Sequence, residues 1–224
     1  MKSLISNIQI QVQHSLYLKD PQSSELGKKI IKGSIELICE LGFEQFTFKK
    51  LAVKIASTEA SVYRYFESKN KVLLYLTNWY WSWLEYRLVF AITNVPSAYD
   101  QLSKAVYLLT EDGTEDGNFE HIDEGKLHKI VLSESLKSFL TKDVDSDNEG
   151  GAFAPYKNLV QRISTIILQI NPDYKYPHML VSTVVEGAHI QRHFANHLPR
   201  LTDVVEGEDA VAEFYSQIVF KAIK

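Results

Sequence analysis

Residues 48–71, FKKLAVKIASTEASVYRYFESKNK, decide how this chain is read. Their spacing predicts two short helices joined by a tight turn and followed by the start of a third, the layout of a helix-turn-helix. The first helix opens at Thr47, whose hydroxyl can cap free amides, and turns Leu51, Ala52 and Ile55 inward while Lys49, Lys50 and Lys54 stay in water. The second opens at Thr58 and buries Val62 and Phe66. Glu59, Ala60, Ser61, Tyr63, Arg64 and Tyr65 are left on its outer faces, with short side chains near the helix start and long ones beyond. A major groove is wide enough to admit such a helix.

Charge distribution supports the same reading. The 224-residue chain carries a net charge of −4, which by itself argues against a general nucleic-acid binder. From Gln45 to Lys71, however, six basic residues (Lys49, Lys50, Lys54, Arg64, Lys69 and Lys71) stand against Glu59 and Glu67, a local balance of +4 that leaves −8 elsewhere. A basic tip on an acidic body steers one small face toward phosphate and repels DNA from the rest.

Thr47 to Lys71 resembles the DNA-binding signature of the TetR family of bacterial repressors. Val62-Tyr63-Arg64-Tyr65-Phe66-Glu67-Ser68-Lys69 matches the hydrophobic-Tyr-x-x-Phe-x-x-Lys ending of that family's recognition helix and the start of its next, long helix. The first half departs from the family pattern, because Ile55-Ala56-Ser57 replaces Ala-Gly-Val at the turn. Alanine at a positive-φ position implies a strain of ~1 kcal/mol or a different turn, and Ser57 replaces an apolar plug.

The resemblance implies an all-α protein with an N-terminal three-helix DNA-binding module and a C-terminal helical ligand-binding and dimerisation domain. It also implies a dimeric regulator, by family default a repressor, that meets a pseudo-palindromic duplex. The expected divisions are 1–19, an extension; 20–67, the DNA-binding domain; and 68–224, the effector and dimerisation domain. Phosphate-positioning contacts are expected from Thr47, Lys49, Tyr63, Lys69 and Lys71; Tyr63 and Lys69 occupy positions that touch phosphate in the family. Thr58 caps the reading helix, and Glu59, Ala60, Ser61 and Arg64 are the residues for base edges, since arginine forks onto guanine and glutamate accepts from cytosine.

In the extension, Ile8, Ile10 and Val12 alternate as in a strand, yet Leu4, Ile8, Val12 and Leu16 also recur every four residues. Only Lys2 and Lys19 could serve a minor-groove arm. Asp20-Pro21 is read as a helix start and Gly42 as that helix's stop. From Ser68 to about Thr93 the pattern predicts one long helix, apolar on nearly every side, ended by Pro96. Further helices are expected over 99–110, 122–140, 155–170, 177–197 and 208–223. Two acidic gaps, 111–120 and 143–151, are read as solvated loops, the first lacking the alternate acids of a calcium loop. The last two helices carry the stripes Leu180, Val181, Val184, Val185, Ala188 and Val211, Phe214, Tyr215, Ile218, Val219. By the resemblance these helices make the homodimer.

The series Trp79, Tyr80, Trp81, Trp83, Tyr86 and Phe90 is too dense to face one core, so some rings should line a pocket for a small hydrophobic or aromatic effector. Trp79, Trp83, Tyr86 and Phe90 are nominated, with Tyr107, His128, Phe153, Tyr156 and His189 completing the cavity. Glu186, His189 and His193 have a zinc-compatible spacing, but no further ligand is readable and a hydrogen-bonded histidine pair is the favoured reading. There is no P-loop, dinucleotide fingerprint or nucleophile elbow, so neither an enzyme nor a cofactor is expected. Cys39, the only cysteine, excludes an internal disulfide and is read as a buried, inert thiol. No secretion signal and no run of 18 apolar residues occurs, so the expectation is a cytoplasmic protein without membrane contact. A helical carrier of lipid or quinone that has lost DNA recognition is the competing class, and a metal-dependent enzyme a distant third.

Overall fold

The computed structural model describes residues 10–113 and 119–224. Among these there is no strand, and ten α-helices follow one another: α1 Glu25–Leu41, α2 Phe48–Lys54, α3 Glu59–Tyr63, α4 Lys69–Ile92, α5 Ala98–Thr110, α6 Glu124–Phe139, α7 Val144–Glu149, α8 Ala154–Ile170, α9 Pro177–His197 and α10 Ala210–Ala222. The all-α expectation holds. Contacts divide the chain into two units, Met1–Trp83 with Gly113–Pro155, and Leu84–Asp112 with Tyr156–Lys224.

In the first unit, short-range chemistry sets the helix ends. Asp20 caps a 3-10 turn, Pro21–Ser23, rather than opening α1; Ser24 opens α1 by accepting from the Gly27 amide. Two capping side chains four residues apart make two short starts where the sequence suggested one. At its far end Gly42 takes φ 77° and its amide donates to the Ile38 carbonyl oxygen at 2.8 Å, the left-handed stop expected of glycine. Ile30, Ile31, Ile35 and Ile38 make the buried face of α1. Cys39 is exposed, against expectation, because it lies one residue beyond Ile38 and so rotates off that face; its thiol donates to the Lys126 carbonyl oxygen at 3.3 Å.

Residues 10–19 pack against the same unit, while Leu4 and Ile8 lie outside the described residues. Ile10 and Val12 are buried and Gln11 and Gln13 exposed, the alternation of an extended segment, before a 3-10 turn at His14–Leu16 buries Leu16. The Ile10 carbonyl accepts from Gln22 Nε2 at 2.9 Å, and the Leu18 amide donates to the Tyr65 carbonyl at 2.8 Å. Lys19 sits 5.2 Å from the centre of the Tyr65 ring, a cation-π distance.

α4 spans 24 residues, ~36 Å of rise, and the division between units falls within it. Its five rings in the first unit, Tyr75, Trp79, Tyr80, Trp81 and Trp83, are all buried. Apolar residues on every side of a helix require burial on every side. The helix stops at Ile92, four residues before Pro96, with Asn94 at φ 61°. α6 packs on α1, and α7 lies in what was read as a loop. Residues 114–118 of the other acidic gap lie outside the described residues.

In the second unit α5 packs on α9 and α10. The Arg192 guanidinium of α9 donates from Nε to the Thr110 carbonyl that closes α5 at 2.9 Å, and from Nη2 to Asp209 Oδ1 at 2.7 Å. Asp209 in turn caps α10 by accepting from the Ala212 amide at 3.0 Å. One charged fork thereby ties three helices.

Candidate nucleic-acid interface

Both caps of the helix-turn-helix form as the sequence implies. Thr47 Oγ1 accepts from the Lys50 amide and Thr58 Oγ1 from the Ser61 amide, each at 3.2 Å. Between the helices Ala56 sits at φ 51°, in the left-handed region, and the Ser57 amide donates back to the Ala52 carbonyl at 2.8 Å. The turn therefore keeps its shape at the cost of a Cβ where glycine would have none. Ala56→Gly is expected to stabilise the chain by about 0.5–1 kcal/mol, the relief of left-handed strain less the added freedom of the unfolded chain. Chemical denaturation measures it, and a loss of stability would refute the strain.

Leu51, Val62 and Phe66 are fully buried beneath the two helices. Gly33 of α1 makes this packing possible: a Cβ there would lie 2.6 Å from Ile55 Cγ2 and 3.0 Å from Leu51 Cδ1. The only sequence sign of that contact was a glycine inside a helical pattern.

Above these anchors lies an exposed row. Thr47, Lys49, Thr58, Glu59, Ala60 and Arg64 are exposed and Ser61 is half-buried. Tyr63 is 48% exposed, with its ring edge-on to Phe48 at 4.8 Å. Arg64 Nη2 donates to Ser61 Oγ at 3.0 Å, and Ser61 Oγ lies 2.9 Å from Thr58 Oγ1, so the guanidinium is held over the helix start. Tyr65 departs from expectation. It is buried, with its hydroxyl 2.8 Å from Ser24 Oγ, because Arg64 keeps helical dihedrals and the Tyr65 amide still donates to the Val62 carbonyl at 2.9 Å, so Tyr65 falls three residues after Val62 on the buried face it shares with Phe66.

The local charge is less available than its count implied. Lys54 is paired with Glu40 at 2.8 Å and Glu36 at 3.4 Å, contacts that hold its ammonium above the usual lysine range, the hydrogen bond to Glu40 foremost. Lys71 pairs with Asp147 of α7 at 2.8 Å, and Lys50 Nζ donates to the Gln45 carbonyl at 2.8 Å. Lys69 Nζ donates to the carbonyls of Phe43 and Glu44, both at 3.2 Å. Lys49 and Arg64 have no acidic partner among the described residues. A count of charges in sequence cannot see partners brought from Glu36, Glu40 and Asp147.

The nine residues nominated for an effector fall into both units. In the first, Trp79 stacks on Trp83 at 6.1 Å, the Tyr80 hydroxyl lies 2.7 Å from His128 Nδ1, and Phe153 meets Phe139 edge-on at 5.4 Å. In the second, Tyr86 touches Phe90 at 4.7 Å, and Tyr156 donates to Glu186 Oε1 at 3.0 Å. Burial lifts the Glu186 carboxyl above its usual range, which that hydrogen bond only partly offsets. His189 is buried, whereas Phe90 and Tyr107 are exposed. Three clefts, one of about 320 Å³ in the second unit and two of about 250 Å³ in the first, are lined by none of the nine. Among the described residues no group of three His, Cys, Asp or Glu is placed to hold a metal ion, and no helix is long and apolar enough to cross a membrane.

Residues 30–76, which run from α1 through the reading helices into α4, match the sequence model of the bacterial regulatory proteins of the tetR family. The chain carries a TetR-family amino-terminal module. Solved structures extend the likeness to the fold of the whole. AibR, in complex with isovaleryl coenzyme A and operator DNA, superposes with a TM-score of 0.55 at 15% identity, over 87% of this chain and 97% of its own. FadR from Bacillus subtilis, in complex with stearoyl-CoA, gives 0.56 at 17% identity, over 88% and 97%. The superantigen PfiT gives 0.61 at 11% identity, over 91% and 97%. At such identities the likeness is one of TetR-type fold, and PfiT illustrates that this fold alone does not fix function. No curated protein sequence matches the chain.

Proposed function

We propose that the chain is a ligand-responsive, DNA-binding transcriptional regulator, acting as a repressor on a pseudo-palindromic operator. The observation that carries this reading is the exposed row on α2 and α3, in which Tyr63, Arg64, Ser61 and Thr58 stand on a helix anchored by fully buried Val62 and Phe66. Thr47, Lys49 and Tyr63 position the duplex through phosphate, Glu59, Ala60, Ser61 and Arg64 address base edges, and Lys69 and Lys71, nominated with the first group, are engaged within the chain by the Phe43 and Glu44 carbonyls and by Asp147. Two such heads, related by a dyad, meet major grooves ~34 Å apart.

The dimer is assigned to α9 and α10. Met179, Ile190, Phe214 and Ile218 stay exposed on these helices, which supports an apolar face that a second copy covers. The effector is a small molecule with a hydrophobic part, in keeping with the acyl-CoA esters bound by AibR and FadR. Its nominated neighbours are taken unit by unit, Trp79, Trp83, His128 and Phe153 in the first and Tyr86, Phe90, Tyr107, Tyr156 and His189 in the second. Control operates through different affinities for two arrangements of the chain. A cytoplasmic location follows from this role.

Gel retardation of the chain's own upstream region, over a range of salt, tests the reading. Retardation that weakens as salt rises, and weakens further in Tyr63→Ala and Lys49→Ala, is the expected result. Four of the six basic side chains in 45–71 are held by carboxylates or backbone carbonyls of the chain, and this favours the carrier as second reading. Absence of retardation for every fragment would count against the regulator and support that alternative instead.

A further inference from the structure

We infer that Lys69 acts in DNA reading as a positioning residue, a brace that closes the chain around α2 and α3, rather than as a phosphate ligand. The inference rests on the DNA-binding reading above. Lysine has three ammonium protons, and two of them go to the carbonyl oxygens of Phe43 and Glu44, 26 and 25 residues earlier, at 3.2 Å each. The same ammonium lies 4.7 Å from the centre of the Phe43 ring. Its backbone begins α4, five residues after Arg64, and the carbonyls it grips lie just before Thr47, the cap of α2.

The bond pair therefore ties the two ends of the reading segment to each other. What lies between, Thr47 to Ser68, includes both helices and every residue nominated for base edges.

The gripped junction is itself fixed from a second side. The Phe43 amide donates to Glu134 Oε1 at 3.4 Å, and Glu44 pairs with Lys137 at 3.0 Å; Lys137 also pairs with Glu134 at 2.7 Å. Glu134 is buried and Phe43 is 5% exposed. Residues 43–44 are thus fastened to α6, and Lys69 fastens the start of α4 to them. Without the ammonium, the two carbonyls lose a charged donor and the start of α2 is free to move relative to α4, so α3 loses its defined angle to the groove. Base readout requires that angle; general attraction to phosphate does not.

The distinction is measurable. A phosphate ligand contributes about 0.9 to the slope of log K against log salt, whereas a brace contributes nothing to it. A duplex selected from a random pool by the wild-type protein would be titrated, over a range of salt, against wild type, Lys69→Met, Lys69→Arg and, for comparison, Lys49→Met. For Lys69→Met we expect an unchanged slope and a ratio of specific to non-specific affinity about tenfold lower, the scale of lost charged hydrogen bonds. Lys69→Arg restores the ratio, since guanidinium can serve two carbonyls. Lys49→Met lowers the slope by about 0.9.

Hydrogen exchange of the DNA-free protein gives a second reading: amides of residues 43–50 exchange faster in Lys69→Met and near wild-type rates in Lys69→Arg. A Lys69→Met slope reduced like that of Lys49→Met, with exchange unchanged, would make Lys69 a phosphate ligand and end the inference. A lowered melting temperature with an intact specificity ratio would reduce it to a structural lysine and end it equally. Should the wild type select no duplex at all, the DNA reading fails; faster exchange in Lys69→Met would then leave the brace standing as structure, and unchanged exchange would remove both.

Discussion

Trp79→Ala is expected to cost about 4 kcal/mol of folding stability, within the range for removing a buried tryptophan side chain and leaving a cavity. Trp79 is fully buried, stacks on Trp83 at 6.1 Å and meets Phe119 edge-on at 5.1 Å. Against a typical stability of about 5–15 kcal/mol the loss is large, and for a chain of this length it corresponds to a fall in melting temperature of about 10 °C. Phe90 on the same helix gives the contrast. At 66% exposure its removal should stay within about 0.5 kcal/mol, because surface positions have little burial to lose. Thermal and chemical unfolding of the two variants measure both, and similar effects would show that exposure along α4 has been misread.

That contrast also marks what the sequence could convey. Helix boundaries were legible where a single side chain decides them. Thr47 and Thr58 cap, Gly42 terminates, and Pro177 begins α9, each through chemistry internal to a few residues. Boundaries set by alternatives of similar energy were not. Asp20 and Ser24 are both competent caps, and the chain uses both, whereas the expected end of α4 near Thr93 is met within one residue. α7 was unreadable for a different reason. Its sequence, VDSDNE, has no buried residue and hence no hydrophobic period, and its anchor is the ion pair from Asp147 to Lys71, 76 residues away in sequence.

The reading surface was largely legible and its electrostatics were not. Helical spacing put Val62 and Phe66 inside and Glu59, Ala60 and Arg64 outside, as found. Tyr65 was expected outside with Tyr63 and Arg64, although its place three residues after Val62 puts it on the face that Phe66 buries, where it is found. Charges obey no period: whether a lysine is available depends on which carboxylate or carbonyl the fold brings to it. For Lys54, Lys69 and Lys71 those partners come from α1, the 43–44 junction and α7. The aromatic residues of α4 have the same limitation, since a ring at helical spacing announces burial but not whether protein or ligand buries it.

Arg64→Ala is the functional substitution with the largest expected effect. The guanidinium is exposed, has no acidic partner among the described residues, and is held by Ser61 Oγ, which is itself 2.9 Å from Thr58 Oγ1. An arginine so restrained has lost part of its rotamer freedom before contact, which favours a forked pair with guanine over loose attraction to phosphate. Loss of a forked base contact costs about 1–3 kcal/mol, or roughly 5- to 150-fold in affinity. The loss should be confined to duplexes that keep the guanine and vanish against those in which that pair is replaced. Ser61→Ala, which frees the guanidinium without removing it, should show a smaller loss of the same kind. Competition binding with single-position variants of the selected duplex separates the outcomes. An equal loss against every sequence, with a shallower salt slope, would mean that Arg64 holds phosphate and that the specificity of α3 resides in Glu59 and the short residues beside it.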